Sequence, residues 1–139
     1  MQVLDTLLGR RDFYSREEIA RYIVRSKNYD PSRESPDQAK TLQFFETSRQ
    51  RTWLVATTAR LYCILDDVRK PEPHINWSLT RQQIFSGDTL SLRISARENT
   101  NRTGLLDIGP EHKNWLYTKA LFLTQPVTEA VTEFIKGSM

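Results

Sequence analysis

The spacing of apolar residues changes twice along this chain. Ser15 is followed three residues later by Glu18, the sequence signature of a capped helix start. Ile19, Tyr22, Ile23 and then Ser26 recur at helical spacing, which predicts a helix over about 16–27. Val3, Leu4, Leu7 and Leu8 predict a short helical turn before it, stopped near Gly9. Residues 28–37 hold two prolines and several turn formers and read as a loop. The pattern then becomes that of strands. Segments 42–47, 52–57 and 61–65 are apolar on both faces, so both faces should be covered. A short helix through Lys40 competes for the first of them. Ile75, Trp77 and Leu79 alternate with Asn76, Ser78 and Thr80, and Leu90, Leu92, Ile94 and Ala96 alternate with Ser91, Arg93, Ser95 and Arg97. That period of two puts one face on a core and one in water. Segments 104–108 and 114–118 read as two further strands. Spacing returns to helical at Val127, Ala130, Val131, Phe134 and Ile135, which predicts an amphipathic helix over 126–136. Pro126 is tolerated in its first turn, and Gly137 is expected to end it.

These elements predict a mainly β fold of seven strands closed by a C-terminal amphipathic helix and preceded by N-terminal helices. The expected division is a helical arm and linker over 1–36, the body over 37–136, and a disordered tail or an expression scar over 137–139. A hydrophobic content of 38% with 27% charged residues in 139 is ordinary for one globular domain. No window approaches the run of about 18 apolar residues that a membrane span needs. Asp5 interrupts the apolar N-terminus, and Arg10 and Arg11 follow it rather than precede it, unlike a secretory leader. The single cysteine, Cys63, permits no intrachain disulfide and sits in an apolar run, as a buried structural thiol would. The expectation is a cytoplasmic protein.

Charge adds little. The formal net charge is +3, and residues 41–103 carry nine Lys or Arg against six Asp or Glu. A nucleic-acid binder shows a denser basic stripe than this.

The stretch from Trp53 to Asp66 has an apolar strand, then Thr57-Thr58-Ala59-Arg60-Leu61, then a second apolar strand. It resembles the second and third strands of bacterial pleckstrin-homology-like (PH-like) domains, and the order of seven strands and a helix over about 41–136 is similar to theirs. The resemblance implies a seven-stranded, partly open barrel with the helix 126–136 across its open corner. It also implies binding rather than catalysis, with peptides, protein partners or anionic lipid headgroups as ligands.

No catalytic constellation stands out. His74 and His112 are far apart in turn-like segments, and neither has metal-ligand spacing. Asp66-Asp67 reads as a turn former at a strand end rather than a general base. No cofactor and no metal is expected. Lys40, Arg49 and Arg51 bracket the first strand and its connection, and the resemblance implies that such cations hold headgroup phosphates. Guanidinium forks suit phosphate oxygens, although a solvated charged turn would look the same. Arg93, Arg97 and Arg102 form a second basic patch on the outward face and loop of the fifth strand. Trp53, Trp77 and Trp115 lie on apolar strand faces as core residues. A different reading takes 13–23 as the opening helix of a winged-helix DNA-binding regulator, with a further helix over 36–45 and the hairpin 52–65 as the wing. The sequence as a whole favours a non-enzymatic binding or scaffolding module for a protein or peptide partner. A homo-oligomer is one form of that partner, and anionic lipid is the alternative ligand.

Overall fold

The structure, a computed structural model, describes residues 9–90, 92–96, 103–108, 113–118 and 125–139, with side chains described for 9–90 and 129–139. The chain forms two compact units, 1–78 and 79–139. No helix of the described residues is long and apolar enough to cross a membrane.

The first unit is built on an antiparallel sheet in the order β1-β2-β3-β4, with β1 Lys40–Glu46, β2 Gln50–Ala56, β3 Arg60–Asp67 and β4 His74–Thr80. Two turns of the same chemistry join its first three strands. The Thr47 N–H donates to the Gln50 carbonyl at 2.7 Å, while Thr47 Oγ1 accepts from the Gln50 N–H at 3.0 Å. The Thr57 N–H donates to the Arg60 carbonyl at 2.9 Å, and Thr57 Oγ1 accepts from the Arg60 N–H at 3.0 Å. A threonine hydroxyl thus supplies the acceptor that each tight turn leaves its amides wanting. In β1 the register slips between Gln43 and Phe45, leaving Phe44 as the extra residue of a bulge.

Register decides which residues share a face. Trp53 pairs with Ile64 and Val55 with Tyr62, so these four project to one side. The helix α1, Arg16–Tyr22, lays Ile19 and Tyr22 on that side, together with Ile23 just beyond it. Ile19 and Ile23 are completely buried there, each contributing on the order of 2–3 kcal/mol by leaving water. Leu54 and Cys63 pair on the opposite side and are also fully buried. Both faces of β2 and β3 are therefore covered, as their doubly apolar pattern implies. The described part of the arm serves as the cover of one face.

The helix start is as expected. Ser15 Oγ accepts from the Glu18 N–H, and Glu18 Oε1 accepts from the Ser15 N–H. Its end is earlier than 27: after Tyr22 the chain tightens into a 3-10 turn over Ile23–Arg25, and Ser26 is extended. Two consecutive β-branched residues, Ile23 and Val24, weaken continuation. Lys40 begins a strand, so the competing helix is absent. Of the helix over 36–45 required by the winged-helix reading, only a 3-10 turn at Pro36–Gln38 exists.

In the second unit Thr80 leads into a short helix, α2, Arg81–Ile84, which the sequence reading missed. A two-residue hairpin follows, β5 Phe85–Ser86 and β6 Thr89–Leu90, turned by Gly87 at φ 62. That backbone conformation favours glycine. A second sheet joins β7 Leu92–Ala96, β8 Thr103–Ile108 and β9 Lys113–Thr118. The C-terminal helix α3, Gln125–Ser138, packs against β7. It contains Gly137 instead of ending before it. Its stripe centres on Val131 and Ile135, both fully buried.

The fold is mostly β with a C-terminal helix. The described residues carry nine strands paired as sheets of four, two and three, so seven strands in one partly open barrel is not the pairing found. The extra strands come from the 85–90 hairpin, too short for periodicity to reveal. The helical turn over 3–8, His112 and the 97–102 loop lie outside the described residues.

Two substitutions test this packing. Ile19→Asp buries an unpaired carboxylate between α1 and the sheet and should lower stability by about 3–5 kcal/mol in chemical denaturation. Ile135→Ala should cost about 2–4 kcal/mol. A variant as stable as the parent would remove the corresponding helix from its core.

Candidate functional site

The cations singled out in the sequence are not assembled into one cradle. Lys40 is exposed at the start of β1, opposite Ala56, whereas Arg51 pairs with Glu46 at the other end of the same ladder. Six residue steps along β1 separate the two ends, roughly 20 Å. Arg51 is also occupied: its Nε lies 3.1 Å from Glu46 Oε1 and its guanidinium stands 4.1 Å from the centre of the Phe13 ring. Arg49 sits in the β1–β2 turn, where its carbonyl accepts from the Val68 N–H at 3.0 Å. In the second patch Arg93 lies opposite Asp107 in the β7–β8 ladder. Arg97 and Arg102 fall outside the described residues.

Asp66 and Asp67 differ from the expected turn formers. Both belong to β3, pairing with Arg51 and Gln50, and both are buried. Each has a cation. Arg11 Nη2 donates to Asp66 Oδ1 at 2.6 Å, and the Tyr14 N–H donates to Asp66 Oδ2 at 2.7 Å. Arg11 Nε donates to the Lys70 carbonyl at 2.8 Å, and the Arg11 N–H to that of Val68 at 2.9 Å. Arg69 grips Asp67 with two bonds, 3.0 and 2.8 Å long. This hydrogen bonding holds the Asp67 carboxyl below the usual carboxylate range, against the opposing effect of burial.

A third buried carboxylate, Glu34, lies at the opposite end of β2 and β3. Its Oε1 accepts from Tyr62 Oη at 2.6 Å and Thr57 Oγ1 at 2.8 Å, and its Oε2 from the Asp30 N–H at 2.8 Å. Burial and then the Glu34 hydrogen bond push the Tyr62 phenol far above its ordinary range. These contacts are satisfied and structural.

An elongated concave feature of this unit runs along β4, which ends the sheet. Three depressions adjoin one another there. One of about 470 Å3 lies between Leu65, Lys70 and the Pro71–Pro73 loop. The next, about 420 Å3, shares Glu72, Pro73 and His74 with it and reaches Tyr22 and Arg25. The third, about 370 Å3, shares Arg25 and Ile75 with the second and continues past Lys27 to Ser78. One wall is therefore the successive residues 74–78 of β4, and the other is the 3-10 turn and residues 26–28. That second wall is pinned at both ends. Tyr22 Oη donates to the Pro73 carbonyl at 2.8 Å, and Asn28 Nδ2 donates to Ser78 Oγ at 3.2 Å. The trough is thus pre-formed, lined by proline and isoleucine at its floor and by charged groups at its rim.

Of these trough residues only His74 and Asp67 are weighed as chemistry in the sequence, and Tyr22, Ser26 and 75–78 enter it only as helix or strand positions. Their significance depends on the arm returning to the sheet edge, a tertiary contact. Among the described residues, no three His, Cys, Asp or Glu side chains group to hold a metal ion. No protein-family model, curated protein or solved structure matches the chain.

The Asp67–Arg69 pair gives a pH test. Because the Asp67 pKa is lowered on folding, its contribution is complete above the unfolded carboxylate value near ~4 and disappears as pH falls through the lower folded value. Asp67→Asn should therefore melt below the parent at pH 7, with the gap closing below about pH 4. A gap unchanged at pH 2 would mean that the charge plays no part.

Proposed function

We propose that this chain is a non-enzymatic binding module of the PH-like kind, and that its ligand is an extended segment of a partner protein lying along β4. The single observation that carries this reading is the continuity of the three depressions along one sheet edge. A compact metabolite fills one enclosed pocket, whereas an elongated, open trough beside an edge strand suits a peptide. Pinning of its walls before any ligand arrives lowers the ordering cost of binding. A run of short strands followed by an amphipathic helix supports the PH-like assignment. Anionic lipid is the weaker alternative, because Lys40 stands far from Arg49 and Arg51, and Glu46 already answers the Arg51 charge.

Selection of random dodecapeptides on the immobilised full chain tests the proposal. Enriched peptides should shift the backbone amide signals of 25–28 and 74–78 in nuclear magnetic resonance titrations while leaving 129–138 still. Failure to enrich above an unrelated immobilised protein, or shifts confined to other surfaces, overturns it.

A further inference from the structure

The charges around the trough say which peptide it takes. Two carboxylates line it, Asp67 and Glu72, and both are answered from within the fold. Asp67 holds Arg69 bidentately, and Glu72 Oε2 lies 3.5 Å from Arg25 Nη1. Among the described residues neither lysine forms an ion pair, although the Lys70 charge is near enough to Asp67 to help hold its carboxyl ionised. Among the described residues no carboxylate lies within ion-pair distance of Lys70, at one end of the trough, or of Lys27, at the other. Both are exposed. Between them the floor is Pro73 and Ile75, one buried and one half-buried. The trough thus has an exposed lysine at each end, and in its middle Pro73 and Ile75 lie beside His74 and the mutually paired Arg25 and Glu72.

We infer that the partner segment is acidic at two separated positions, with an apolar stretch between them. One acidic side chain faces Lys70, the intervening apolar residues lie over Pro73 and Ile75, and the second acidic side chain faces Lys27. Residues 74–78 of β4 span about 13 Å, so an extended peptide needs about three residues between its two carboxylates to cover that length. Exposed lysines act mainly through long-range attraction. Their effect is a faster encounter and a preference among peptides, weakened by salt as the screening length shortens to about 8 Å near physiological ionic strength. This inference rests on the reading of the β4 trough as a peptide site, and the experiment separates the two.

The probes are three fluorescein-labelled peptides in a Gly-Ser frame. The first has the core Glu-Leu-Ala-Val-Glu, the second replaces both Glu with Gln, and the third replaces both with Lys. Anisotropy titrations use the full chain at low and at high salt. The acidic peptide should bind about five- to tenfold more tightly than its Gln twin at low salt, with the advantage shrinking at high salt. Lys27→Ala with Lys70→Ala should erase that advantage while leaving the Gln twin's affinity unchanged. Lys27→Glu with Lys70→Glu should move the preference to the Lys peptide. Both positions are exposed, so an unchanged melting temperature confirms that the fold is retained. Equal binding of the acidic and Gln peptides overturns the acidic assignment and leaves the trough standing as a peptide site. Binding by none of the three overturns both. If phosphatidylserine vesicles bind in a Lys27- and Lys70-dependent way while the peptides do not, the surface is a membrane contact and the inference fails.

Discussion

A single guanidinium inserted beside the end of β3 organises the first unit. Asp66 is completely buried, and a carboxylate without a cation there would be untenable. Arg11 supplies the cation and uses its remaining donors on the backbone carbonyls of Asp12, Asp67 and Lys70. The same carboxylate accepts from the Tyr14 amide, one residue before the helix cap at Ser15. The ion pair therefore sets where α1 begins. From that origin the helix periodicity delivers Ile19, Tyr22 and Ile23 onto Trp53, Val55, Tyr62 and Ile64. The same helix then aims Tyr22 at Pro73 and brings 25–28 alongside β4. The trough wall is thus the far end of a chain of placements that starts at Asp66.

Glu34 provides the second fixed point. It ties the loop after the arm to Thr57 and Tyr62, at the opposite end of the strands from Asp66. Two of the buried carboxylates, Asp66 on the sheet held by the arm and Glu34 on the loop held by the sheet, thus clamp the arm at both ends. Apolar packing alone would leave the helix free to slide, whereas fully satisfied polar contacts specify a single register. Thr57 has a double role, since the hydroxyl that forms the β2–β3 turn also contacts Glu34. Turn geometry and arm position are therefore coupled through one oxygen.

The readable parts of the fold were those governed by local rules. The Ser15–Glu18 capping box, the alternation in 75–80, the doubly apolar strands around Cys63 and the stripe ending at Ile135 all carry their signals within a few residues. The misreadings had non-local causes. Asp66 and Asp67 resemble turn formers until Arg11, 55 residues earlier in the chain, is placed beside them. The 85–90 hairpin has strands of two residues, below the length at which alternation can show. Arg51 reads as a phosphate ligand because Glu46, its partner across the turn, belongs to the neighbouring strand. Lys27 and Lys70 stand 43 residues apart in the chain, and no pattern of spacing joins them.

The order in which the chain is made gives the arm an unusual position. Its covering helix is only seven residues long, well below the ~12–15 at which an isolated helix becomes even marginal in water. During synthesis it emerges before every strand it packs on, so Ile19 and Ile23 have nothing to bury against until β2 and β3 follow. Those strands close through two short threonine turns and need only local contacts, the kind that form fastest. The meander is therefore the template and the arm the late arrival, although the arm is translated first. Until it docks, Trp53 and Val55 present an apolar sheet face to the surroundings. The interval between meander closure and the arrival of Arg11 at Asp66 is when this chain is most open to aggregation.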